Sequence, residues 1–223
     1  MTLQERYAQI LNDLRVTAAR YDREDVTLLA VSKTFPAESI RALYDCGCRA
    51  FGENRVPELE AKAAALPADI QWHMIGQLQA NKVRKVVRCA AWIHSVDSEA
   101  LLRRLDRISG EEGRTPRILL EVNVSGEESK SGCTPQEALH LGLIAASMEH
   151  LDWQGLMTMA PADANEEELR RVFGGLRQLR DDLSRQTGRP LPVLSMGMSG
   201  DFPAAIREGA TIVRIGSAIF GNR

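Results

Sequence analysis

The feature that most constrains the fold is a repeated alternation. Eight short apolar runs rich in β-formers, "VTLLAVSK", "CRAFGEN", "QWHMIG", "AWIHSVD", "RILLEVNVS", "LDWQGLMTM", "PVLSMG" and "TIVRIG", are separated by stretches of helical periodicity. Strands that alternate apolar and polar residues have one wet face. These runs are nearly continuous in their apolar character, as parallel strands covered on both faces are. Eight strand–helix units behind one leading helix predict an α/β fold, a single (β/α)8 TIM-type barrel with an extra N-terminal helix. An open doubly wound sheet would need fewer strands or a clear point of reversal. No shift in composition and no Pro/Ser-rich linker interrupts the pattern, so residues 1–223 are expected to form a single domain.

The helices can be argued residue by residue. Leu3, Tyr7, Ile10, Leu11 and Leu14 share one face of an opening helix. Val83, Val86 and Val87 form a stripe in "QANKVRKVVRC", as do Leu101, Leu102, Leu105 and Ile108 in "EALLRRLDRI". A longer stripe joins Leu169, Val172, Phe173, Leu176, Leu179 and Leu183. Thr134-Pro135-Gln136-Glu137 reads as a capping box with proline at the first helical position.

Bulk properties exclude several classes. A net charge of −2 offers no global attraction to nucleic acid or an acidic membrane. The basic stretch "NKVRKVVR" lacks interleaved aromatics and reads as a solvated helix face. No apolar run approaches the roughly 20 residues that span a bilayer, and Glu5 and Asp13 argue against a secretory leader. Cys46, Cys48, Cys89 and Cys133 match neither a zinc site nor a redox pair, which suits reduced thiols in a cytoplasmic protein.

In a barrel of this kind chemistry gathers at the C-terminal ends of the strands. Those ends carry Lys33, Glu53-Asn54, His73 and Gly76, and His94, then "SGEESKSG", "MTMAP", "SMGMSGD" and "RIGSAIFG". The last two stand out. Ser199 reads as the N-cap of a short helix, and Gly216 and Ser217 let a backbone approach an anion closely. Loops after strands seven and eight commonly cradle phosphate in this architecture. Lys33 either snorkels into solvent or, beside apolar groups or a cation, offers a nucleophilic lone pair to a carbonyl. A lysine facing a phosphate cradle describes a site for pyridoxal 5′-phosphate, an aldehyde held by its phosphate. His73 and His94 read as hydrogen-bonded barrel residues rather than metal ligands, and Glu53 as either a base or an ion-pair partner. Lys82 and Lys130 read as solvated lysines or as guides for an anion near the mouth.

The segments "AVSKTFP", "FGENRVPE", "WHMIGQLQANK", "VNVSGEESKSG", "GLMTM" and "LSMGMSGDFPAAIREGATIVRIGSAIFG" together resemble the pyridoxal phosphate homeostasis protein family, in order from about residue 26 to residue 221. The resemblance implies a barrel like the N-terminal domain of alanine racemase. It implies pyridoxal 5′-phosphate bound covalently to Lys33 as a Schiff base, with Ser199, Gly200, Gly216 and Ser217 around the phosphate. Asn54 would face the polar edge of the pyridine ring and Met196 its face. Arg214 would lie near the pyridine ring or the phosphate; a cation beside the ring nitrogen disfavours its protonation and restrains carbanion chemistry. Gly200 departs from the family pattern, which has a side-chain donor or acid before Asp201. The function so implied is intracellular cofactor homeostasis: a carrier, monomeric or weakly dimeric, that delivers its load to apo-enzymes. Two rival readings stand beside it. A cofactor-dependent amino-acid racemase needs a second base opposite Lys33, and the tyrosines, Tyr7, Tyr21 and Tyr44, all fall in helices or at their ends. An aldolase-type barrel would use Lys33 directly on a sugar phosphate.

Overall fold

In the computed structural model, which describes residues 1–23 and 26–221, the eight strands close into a parallel barrel in sequence order, β1 to β8. They are β1 Thr27–Val31, β2 Ala50–Glu53, β3 Gln71–Met74, β4 Trp92–Val96, β5 Arg117–Glu121, β6 Asp152–Met157, β7 Val193–Ser195 and β8 Ile212–Ile215. Closure is made by β1 against β8, from Thr27↔Ile212 to Ala30↔Ile215. The helices are α1 Leu3–Arg20, α2 Ala37–Asp45, α3 Val56–Ala65, α4 Val83–Cys89, α5 Glu99–Glu112, α6 Pro135–Ala146, α7 Glu166–Thr187, α8 Phe202–Arg207 and α9 Ser217–Phe220.

The expected stripes are the buried ones. Val83, Val86 and Val87 are inaccessible, Leu101 to Ile108 and Val172 to Leu183 face the barrel, and Leu169 is half-buried. The Thr134 box forms as read, with Glu137 N–H donating to Thr134 Oγ1 at 3.2 Å. Two more capping boxes, Thr2/Glu5 and Asn165/Glu168, start α1 and α7. The opening helix differs from its reading in one residue. Tyr7, Ile10, Leu14 and Ala18 are buried, but Leu11 is 40% exposed. This helix packs on its own barrel, against α2, α8 and α9. Arg6 donates from Nε to Ile219 O (2.6 Å), which satisfies a carbonyl at the end of α9.

Alternation along each strand sorts the side chains into two sets. Leu28, Ala30, Phe51, Met74, Ile93, Ile118, Leu120, Leu194, Val213 and Ile215 point out and pack under the helices. The opposite set includes Trp92, Leu119 and Met157, a separate apolar cluster. Lys33, Asn54, Glu121, Ser195 and Arg214 have this second parity. The fifth strand is shorter than the run "RILLEVNVS". It ends at Glu121 because Asn123 gathers the next turn around itself: its Oδ1 accepts from Ser125 Oγ and Gly126 N–H, and its Nδ2 donates to Glu127 O and Lys130 O.

Candidate cofactor site

A cavity of about 640 Å³ opens at the C-terminal ends of the strands. Lys33, Asn54, Ser199, Arg214, Gly216 and Ser217 line it, so residues from β1, β2, β7 and β8 meet as the sequence suggested. A larger, open depression of about 1200 Å³ lies between α7 and α8 on the outer surface. Two of its four arginines are engaged, Arg177 with Glu208 and Arg207 with Glu166, and no strand end reaches it.

Two expected residues are not in the cavity wall. Met196 follows the inward Ser195 by one position, so it has the opposite parity and lies fully buried in the outer core. Met157, Met159 and Met198 supply the thioethers that the ligand would meet instead. Gly200 is set back from the wall in the turn, with open space where a Cβ would stand. Ser199 lines the cavity but is not the N-cap of α8. That place belongs to Asp201, whose Oδ1 accepts from Met198 N–H at 2.5 Å. Ser199 Oγ accepts instead from Ala218 N–H at 3.4 Å and ties the β7 loop to the start of α9. Gly197 makes that loop: its φ is +94°, and a Cβ would fall 2.6 Å from the Ala205 Cβ. Lys82 and Lys130 are outside the wall; Lys130 stands 4.0 Å from Glu127.

The N–H groups of Ser199, Gly216 and Ser217, whose residues line the cavity, donate to no described acceptor, and neither does that of Gly200 in the turn behind them. Unused amides of this kind can cradle an anion such as phosphate.

Below the cradle lies Arg214, fully buried. It donates from Nη1 to Ser195 Oγ (2.8 Å) and from Nη2 to Thr158 O (2.9 Å). No carboxylate pairs with it among the described residues, so the strand-end salt bridge that an arginine often makes is absent here. Burial lowers its pKa to about 10, and Asp201 and Glu121 oppose the drop, so the guanidinium stays charged at neutral pH. Behind it runs a buried chain. His94 Nδ1 is 3.0 Å from Ser195 Oγ, and His94 Nε2 is 2.9 Å from His73 Nδ1. Ser195 Oγ accepts from Arg214 Nη1 and has a second lone pair and its own proton left for His94, so either ring nitrogen of each histidine can carry the proton along this chain. Burial drives His73 down to about 3 and His94 well below the usual imidazole range, so both rings are neutral. Their role as hydrogen-bonded barrel residues is the one expected, and no cluster of metal-ligating side chains occurs among the described residues.

Glu121 is the group that strand-end reading missed. It lines the cavity at the end of β5, across the ring of strands from β1, is 3% exposed, and makes no side-chain hydrogen bond to a described residue. Burial raises its carboxyl to about 7, with Asp97 adding to the rise and Arg214 opposing it. The available signal was an acid inside the apolar run "RILLEVNVS". Asn54 Oδ1 is likewise buried without a partner, and the end of β3 lies hard against this residue: a Cβ on Gly76 would stand 2.2 Å from Asn54 O. A lysine, a charged arginine with no acidic partner, unused amides and an orphaned amide oxygen in one cavity fit a phosphorylated aldehyde with a polar ring.

Comparison with known proteins agrees with this geometry. Residues 6–223 match the family model described as alanine racemase, N-terminal domain. The pyridoxal phosphate homeostasis protein of Aquifex aeolicus is 42% identical, over 98% of this chain and 97% of its own. The chain belongs to the pyridoxal phosphate homeostasis protein family. A second member of that family, from Pseudomonas aeruginosa, is 41% identical over 100% of this chain and 96% of its own length. Among solved structures, PipY of Synechococcus elongatus superimposes with a TM-score of 0.91 without PLP and 0.89 with PLP bound. It is 40% identical, over 99% of this chain and 100% of its own. Alanine racemase of Clostridium difficile shares the fold at a TM-score of 0.75 and 17% identity, with 96% of this chain matched to 57% of that one. The homeostasis family thus has the racemase-type barrel, as the motifs implied. No described helix is long and apolar enough to cross a membrane.

Proposed function

We propose that the chain holds pyridoxal 5′-phosphate in the strand-end cavity as a Schiff base on Lys33, keeps the free aldehyde scarce inside the cell, and passes the cofactor to apo-enzymes. The observation that carries this reading is one cavity shared by Lys33, the unused amides at Ser199, Gly216 and Ser217, and an Arg214 that no described carboxylate pairs. The Lys33 amine adds to the aldehyde carbon, a C=N bond forms and water leaves; addition of water reverses the step. The amides of the two loops hold the phosphate, with Ser199 and Ser217 as neighbours. Asn54 offers its unpaired Oδ1 to a donor on the ring. Arg214 keeps a positive charge beside the ring, which disfavours protonating the pyridine nitrogen and weakens the ring as an electron sink.

That electrostatic setting suits a carrier better than an enzyme of carbanion chemistry. Racemisation would also need a base opposite Lys33, and no tyrosine lines the cavity among the described residues. The deciding experiment is borohydride reduction of the protein mixed with pyridoxal 5′-phosphate, followed by intact and peptide mass spectrometry. One adduct on Lys33, lost in Lys33→Ala, is expected. An adduct elsewhere, or none on wild type, overturns the proposal.

A further inference from the structure

The backbone beside Lys33 is strained, and a network from α3 holds it there. Thr34 has φ +69°, in the left-handed region that a β-branched side chain rarely enters. Its N–H donates to Glu58 Oε2 at 2.8 Å. On the other side of Lys33, Ser32 O accepts from Lys62 Nζ (3.0 Å) and Ser32 Oγ donates to Glu53 Oε1 (2.6 Å). Lys62 also bonds Glu53 Oε1 at 2.8 Å and stands 3.6 Å from Glu58 Oε2, one helical turn before it. Glu53 is fully buried and Lys62 nearly so. Both neighbours of the cavity lysine are therefore fastened to one helix outside the barrel, while Lys33 itself makes no hydrogen bond to a described residue.

We propose that Glu58 and Lys62 are positioning residues for Lys33: they hold Thr34 left-handed and Ser32 in place, and so aim the Lys33 amine into the cavity. This rests on reading Lys33 as the bonding amine. Thr34 is also the third residue of a turn closed by Phe35 N–H to Ser32 O (3.1 Å), so Glu58 supplies the side-chain restraint on a φ that this turn by itself leaves costly for a β-branched residue. The carboxylate is charged for this task at neutral pH. Burial alone would raise it, but the Thr34 N–H and Lys62 outweigh burial and hold it below the usual range.

The test uses Glu58→Ala, Glu58→Gln, Thr34→Gly and the double variant Glu58→Ala/Thr34→Gly. In ligand-free protein, hydrogen exchange at the residue 34 amide should be slow in wild type and in Glu58→Gln, which keeps an acceptor, and fast in Glu58→Ala. With pyridoxal 5′-phosphate, borohydride-trapped loading should slow roughly ten-fold in Glu58→Ala. The double variant should recover most of that loss, because glycine adopts this φ without cost. Recovery is the outcome that a merely stabilising carboxylate would not produce. Wild-type loading in Glu58→Ala, or a loss that Thr34→Gly leaves untouched, overturns the proposal. A wild type that cannot be trapped defeats the Lys33 reading instead, and exchange at residue 34 still decides whether the clamp exists.

Discussion

The two sides of the cavity are built on different physics. On the β1–β2 side, charges do the holding: Glu53, Lys62 and Glu58 fasten the backbone around Lys33 from outside the barrel. On the β7–β8 side the supports of the cation are neutral. Loop amides there are unused, and among the described residues Arg214 is held by Ser195 Oγ and Thr158 O, in front of two uncharged imidazoles. The difference comes from the group each side must present. A residue that aims a reactive amine tolerates charges if they are paired among themselves and turned away. A site for an anion must keep its own cation unpaired, so its supports have to be neutral acceptors.

Three substitutions would break or sharpen this contrast. The largest effect is expected for Lys62→Met, which leaves Glu53 buried without its cation and should cost about 3–5 kcal/mol in urea unfolding at pH 7. A small loss there would mean that the charged side is not a buried ion network. Next is Glu121→Gln. The Glu121 carboxyl sits at about 7 in the folded chain, above its unfolded value, so the folded state holds this proton more tightly. Its stabilising contribution is present at low pH and is lost as pH rises from the usual carboxylate range through 7. The glutamine variant should be the more stable protein at pH 8, by about 2–3 kcal/mol, and the advantage should vanish near pH 4. An advantage that does not change with pH would rule out Glu121 as the titrating group. The smallest effect is expected for Ser195→Ala, about 1–2 kcal/mol, because the neutral chain loses one hydrogen bond at Arg214 and one at His94. Equal losses in Lys62→Met and Ser195→Ala would erase the distinction between the two sides.

Much of the molecule is legible in the sequence wherever a rule depends on near neighbours in the chain. The Thr134 capping box, the valine stripe of α4 and the long stripe of α7 follow from helical spacing alone, and the structure reproduces each. Strand ends named Lys33, Asn54, Gly216 and Ser217 because a closed parallel barrel places all those ends at one mouth, and the family resemblance added Arg214; all five line the cavity. The misreadings have local causes too. Met196 fails by a single step of parity beside Ser195, and the N-cap is Asp201 rather than Ser199 because the turn runs on and the helix starts only at Phe202. Glu121 was passed over because the apolar run continues through Val122 and Val124, and only the side-chain bonds of Asn123 end the strand.

The sequence by itself determined the class of fold, the order of its strands and which loops carry the chemistry. Those depend on periodicity, apolar continuity and small residues at fixed places, all properties of short stretches of chain. The tertiary structure alone decided that Lys62 and Glu58 bond the residues beside Lys33 and that, among the described residues, Arg214 has no acidic partner and the buried Glu121 no hydrogen-bond partner. These facts depend on which side chains from distant segments meet and how much water remains around them. A buried charge is set by its surroundings in space, and the surroundings exist only after the barrel has closed.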